Sequence, residues 1–116
     1  TEILRNRKGP GNVCPIRCVI IHSPLVQSTC YKAVNRPAQW FVEKKVGLVG
    51  MDMPTPNGED WQYVHIKMLK AGILIVEGLT NMEQLPTGEV FTFYSLPLKL
   101  QGRDGSPVRA IAILDS

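Results

Sequence analysis

His65 and Glu77, an imidazole and a carboxylate twelve positions apart, are the residues in this sequence whose types and spacing best suit shared chemistry. A histidine nitrogen and a carboxylate oxygen are suitable ligands for zinc or manganese. They also make an ordinary structural hydrogen bond, and on spacing alone that simpler reading is preferred. Whether they can meet depends on the elements that carry them. Over residues 62–70 the apolar Val64, Met68 and Leu69 recur at helical spacing, with His65 on the same face. Gly72 can end that helix, after which Ile73, Leu74, Ile75 and Val76 read as a short buried strand. Glu77 follows where the strand runs out. A carboxylate in that position must be solvated, paired or bound to a metal, because burying it alone is too costly. A helix packed beside this strand would let the two side chains converge.

Two other groups invite chemistry and support it less well. Asp52 ends an apolar stretch over residues 46–51, and a turn-forming Asp bonded to nearby amides accounts for it. Cys14, Cys18 and His22 are evenly spaced, with Cys30 further on, which raises a structural zinc site. Such sites usually begin with a tighter Cys pair, and strand alternation explains Cys18, Ile20 and His22 as one inward face. A glycine-rich phosphate cradle fails at residues 102–107, because no helix follows the glycines.

The remaining elements follow from local signals. Residues 35–45 predict a helix, with Asn35 as cap, Pro37 in the first turn and Lys44 and Lys45 at the negative end of the dipole. Its inner face is Ala38, Phe41 and Val42. A strand buried on both sides comes next, over residues 46–51. One helical turn is expected over residues 81–85, then a long strand over residues 89–100 in which Pro97 marks an edge or bulge. Asp104 and Gly105 suggest a tight turn into a last strand over residues 107–114, giving a C-terminal hairpin. The fold class is therefore α/β (α+β), with a mixed sheet and two or three helices.

At 116 residues the chain is long enough for a single domain with one core, residues 1–116. Its 44% hydrophobic and 20% charged content fits an ordinary soluble protein, and no apolar run approaches a membrane span. A net charge of +3 is too weak for a nucleic-acid binder, though it can help attract an anionic substrate. Arg5, Arg7 and Lys8 form the basic cluster of residues 1–12, which reads as a solvated, mobile terminus rather than a nucleic-acid arm. Three cysteines and no hydrophobic leader fit a reduced, cytoplasmic chain. The first residue is Thr, so a processed or trimmed start is expected.

The run VHIKMLKAGILIVEGLTNMEQLP, then LPLKLQGRDGSPVRAIAIL, resembles the cyclase family of metal-dependent hydrolases, which includes bacterial kynurenine formamidases and isatin hydrolases. The likeness reaches upstream through WFVEKKVGLVGMD and covers residues 38–114, leaving residues 1–35 as a divergent segment before a cyclase-like region, 36–116. It implies a swivelling β/β/α fold, a homo-oligomer and a divalent metal, zinc or manganese. By this resemblance His65 and Glu77 correspond to metal ligands, with Gly78 where the family usually has Asn. The family's remaining ligands and catalytic His lie in a motif of the form His-x-Gly-Thr-His-x-Asp-x-Pro-x-His, which this sequence does not contain. With His22 and His65 its only histidines, the chain cannot supply that full site. His22 or Asp52 completing a reduced single-metal site is the remaining alternative within the chain. Two function classes stay open: a metal-dependent amide or small cyclic amide or ester hydrolase, incomplete or inactive alone, and a non-catalytic scaffold working in assembly or small-molecule binding.

Overall fold

The computed structural model describes residues 2–4, 18–21, 36–55, 60–86 and 91–114. Strands β1 (Glu2–Leu4), β2 (Cys18–Ile21), β3 (Leu48–Met51) and β4 (Leu74–Val76) form one mixed sheet in the order β1-β2-β3-β4. β1 is antiparallel to β2, while β2, β3 and β4 run parallel. Helices α1 (Arg36–Glu43) and α2 (Trp61–Lys70) precede β3 and β4, and a 3-10 turn (Met82–Gln84) leads towards the hairpin of β5 (Phe91–Pro97) and β6 (Val108–Leu114).

The alternation of β3 separates two layers. Val49 and Met51 are fully buried on the face covered by Ala38 and Phe41 of α1 and Val64 and Met68 of α2. Gly50 points to the other face, where a Cβ would lie 2.7 Å from Ile20 Cδ1 and 2.9 Å from Leu79 Cδ1. Phe93 of β5 approaches the same point at 4.0 Å, so a glycine here lets the far layer settle on the sheet.

Each helix hands over to its strand through the same turn. After α1, Lys45 N–H donates to Val42 O and Val46 N–H to Phe41 O, both at 3.0 Å. After α2, Gly72 N–H donates to Leu69 O and Ile73 N–H to Met68 O, again both at 3.0 Å. This is the Schellman pattern, which satisfies carbonyls left over at a helix end. The buried pairs Phe41–Val46 and Met68–Ile73 add the apolar contact that accompanies it. The pivot residue is left-handed in both, φ 52° at Lys45 and 76° at Gly72.

Several sequence expectations are corrected. Residues 2–4 belong to a paired strand, so this part of the N-terminal segment is not a free terminus. Lys44 and Lys45 lie beyond α1, in its capping turn. Val19 is the wholly buried residue of β2, whereas Cys18 and Ile20 are half-buried. Leu69 faces outwards at 55% exposure, leaving Val64 and Met68 as the inner face of α2. Leu74 is 57% exposed on β4, which among the described residues is an edge strand paired with β3 alone. The hairpin has no tight turn at Asp104–Gly105; the register pairs Pro97 with Val108, leaving residues 98–107 as the connection. A two-residue turn of that kind needs positive φ at both central residues, and Gly102 is the only residue in the connection that has it. Ser106 Oγ instead accepts the Leu98 N–H at 2.9 Å and ties the base of the loop.

Candidate metal centre

Parallel pairing puts the C-terminal ends of β3 and β4 side by side, since Gly50 is in register with Val76. Beyond the strands the backbones stay joined, with Gly78 N–H donating to Met53 O at 3.1 Å and Leu79 N–H to Met51 O at 2.9 Å. This fixes the segment carrying Glu77. The carboxyl ends of parallel strands are where ligands collect in open α/β sheets. From the helix layer, α2 packs against β4, with Met68 in one buried cluster with Ile73 just before the strand, and His65 of α2 reaches Glu77 just after it.

The two predicted residues do converge. His65 Nε2 lies 3.1 Å from Glu77 Oε1, with side chains 22% and 34% exposed. His65 Nδ1 lies 2.8 Å from the carbonyl oxygen of Trp61, one helical turn earlier. A carbonyl can only accept, so Nδ1 carries the hydrogen and donates it. In the neutral ring Nε2 is then an unprotonated acceptor aimed at a carboxylate oxygen, itself an acceptor. Two acceptors this close require a proton or a metal cation between them. A ligating histidine usually donates its other N–H to a carbonyl or carboxylate in just this manner, which fixes the tautomer and ring orientation. The donor set and its orientation therefore fit a divalent cation.

Among the described residues no group of three or more His, Cys, Asp and Glu side chains could hold a metal. Asp52 is half-buried at the end of β3 and does not join His65 and Glu77 as a third donor, which removes it as the partner that completes the site. His22, Cys14 and Cys30 lie outside the described residues, and so do the possible completion by His22 and most of the cysteine–histidine zinc site. Cys18 is a free thiol, pushed up to about 12 by burial, which makes it a poor ligand or nucleophile. The sequence reading missed Trp61. It serves His65 through its carbonyl, and its ring meets the imidazole edge to face, centroids 5.7 Å apart at 84°. The i, i+4 relation on a helix is the signal that could have found it.

The chain is 38% identical over 79 residues to cyclase-like protein 3 of Oryza sativa subsp. japonica, a match covering 66% of the chain and 28% of that protein. It is 34% identical over 76 residues to kynurenine formamidase of Bacillus cereus, covering 64% of the chain and 35% of that enzyme. A solved structure described as a potential metal-dependent hydrolase with cyclase activity superposes with a TM-score of 0.52. That pair shares 27% identity, over 65% of this chain and 37% of the other. The matched part of the chain is similar to proteins named for cyclase and kynurenine formamidase activity, which supports the resemblance to the cyclase family over that part. No family model matches the chain. Its α+β layers are those of a cyclase-like hydrolase fold, as the resemblance implied. The chain spans about a third of the length of these cyclase-family relatives. Among the described residues no helix is long and apolar enough to cross a membrane.

Proposed function

We propose that His65 and Glu77 are two ligands of a divalent cation, zinc or manganese, and that this region serves a metal-dependent hydrolase of the arylformamidase type. The carrying observation is the committed tautomer: Nδ1 is spent on Trp61 O at 2.8 Å, leaving Nε2 facing Glu77 Oε1 at 3.1 Å. A divalent cation bound there would supply Lewis acidity and make a water nucleophilic near neutral pH. His65 contributes a neutral nitrogen donor held in one orientation by the helix. Glu77 contributes negative charge from a backbone segment fixed to β3. The substrate class proposed is an N-formyl aryl amine or a small cyclic amide or ester, following the names of the relatives. Catalytic zinc sites commonly use about three protein ligands, so two donors make an incomplete site, inactive in the isolated chain.

A second reading draws on that same count of two. In it the scaffold is non-catalytic and acts in assembly or small-molecule binding, with His65 protonated and bonded to Glu77. Under both readings the chain is proposed to be cytoplasmic and to form a homo-oligomer. Calorimetric titration with zinc and with manganese separates them. Stoichiometric binding lost in His65→Ala and in Glu77→Ala supports the first reading, and no binding to the wild-type chain supports the second.

A further inference from the structure

Trp61, His65 and Leu69 lie at i, i+4 and i+8 along α2, so an imidazole with polar work to do is bracketed by two apolar side chains. Both brackets are open to solvent, Trp61 at 47% and Leu69 at 55% exposure. Neither belongs to the buried cluster that holds α2 to the sheet. A single exposed apolar residue is commonplace and carries no message. Trp61 differs because its ring touches the imidazole itself, edge to face at 5.7 Å. With 47% of the residue still exposed, that contact leaves part of the side chain open beside the His65–Glu77 pair. Its neighbour Tyr63 has a different occupation, since Lys67 Nζ donates to its hydroxyl at 3.3 Å and lies 5.5 Å from its ring centroid. Trp61 is thus an aromatic side chain next to the site that is 47% exposed and, among the described residues, has its ring contact with His65.

We propose that Trp61 is the specificity-determining wall of this site, selecting ligands in which a flat aromatic body is attached to the group that reaches the His65–Glu77 pair. The proposal rests on the metal reading above. An aromatic ring stacked on the open indole gains both apolar burial and a ring–ring contact, while a ligand without a ring gains neither.

The test compares two hydroxamates that chelate a metal identically, benzohydroxamate with a ring and acetohydroxamate without one. Each is titrated into the zinc-loaded chain by calorimetry. The titrations are repeated in a Trp40→Phe background, where Trp61 is the sole indole and its fluorescence reports the contact. Benzohydroxamate is expected to bind roughly two- to tenfold more tightly and to change the Trp61 emission. Trp61→Ala should bring the two affinities together, judged against the zinc and acetohydroxamate affinities measured for the same variant, and Trp61→Phe should keep most of the preference. Zinc held normally, with a preference indifferent to Trp61→Ala, overturns the assignment of Trp61 and leaves the metal reading standing. Loss of zinc itself in Trp61→Ala also overturns it, because the ring would then position His65 rather than select ligands. Zinc that does not bind, or binds equally well to His65→Ala, overturns the metal reading and this proposal with it.

Discussion

An imidazole whose Nδ1 is committed to a carbonyl has one nitrogen left to offer, and the surroundings of that nitrogen determine its use. For His65 the partner is a partly exposed carboxylate, and exposed ion pairs stabilise by about 1 kcal/mol at most. Stability is therefore a weak reason for the pairing. In the metal-free chain, His65→Ala and Glu77→Gln should each shift unfolding free energy by less than about 1 kcal/mol, measured by urea denaturation. Zinc at about a hundred times its dissociation constant should stabilise the wild type by roughly 2.7 kcal/mol, and the variants far less. Equal zinc stabilisation in all three proteins would refute ligation by this pair. Cys18 gives a second test at this scale. Burial lifts its thiol from 9.0 to about 12, so between those values the folded chain keeps a proton that the unfolded chain releases. Its contribution is intact below pH 9 and is lost as pH rises through the window. Stability of Cys18→Ala should fall less steeply than wild type between pH 9 and pH 10.5 in paired denaturation curves, about the practical limit of such measurements. Parallel curves would show that the thiol does not titrate differently on folding.

At the scale of elements, the two helix-to-strand turns use one geometry with different residues at the pivot. Gly72 reaches its φ of 76° without steric cost, whereas Lys45 holds 52° with a Cβ in the way. Lys45→Gly should therefore stabilise the fold by about 0.5–1 kcal/mol, the relief of strain being partly offset by a freer unfolded chain. Gly72→Ala should destabilise by about 1–2 kcal/mol through backbone strain alone, because a Cβ there would meet nothing within 4 Å. Thermal melts of both variants check the pair, and opposite signs are the expected result. The turn at Gly72 also sets the angle between α2 and β4, so Gly72→Ala should loosen zinc binding along with the fold.

For the whole molecule, the hairpin sets the terms. Its inner face buries Phe91 and brings Phe93 to Gly50, so those two rings turn towards the four-stranded sheet. Its outer face carries Tyr94, Leu96, Ile111 and Ile113, each 45% exposed or more. A two-stranded ribbon is marginal by itself, and an apolar outer face on one is a candidate for cover by another subunit. Sedimentation is expected to give at least a dimer, weakened by Leu96→Lys, and a clean monomer at high concentration would contradict this. The isolated chain with added zinc or manganese is expected to show no appreciable hydrolysis of N-formyl aryl amides. Robust metal-dependent turnover abolished by Glu77→Ala would reverse that expectation.

Periodicity and punctuation in the sequence were enough to locate α2, β4 and the closing hairpin, because helix spacing, Gly72 and strand alternation are properties of neighbouring residues. The identity of the pair His65 and Glu77 was legible on the same basis, aided by the likeness of the run around them to a family. Exposure was harder to read. Leu69 and Leu74 have the apolar character of core residues, yet α2 buries only its Val64–Met68 side and β4 has no outer neighbour among the described residues, facts that depend on tertiary packing and sheet order. The 98–107 connection was misread for a similar reason, since the register of Pro97 with Val108 set the length of the loop and Asp104–Gly105 did not. Only the tertiary structure could decide that Nε2 meets Oε1 while Nδ1 is held by Trp61, because a hydrogen-bond tautomer is chosen by partners converging from separate elements.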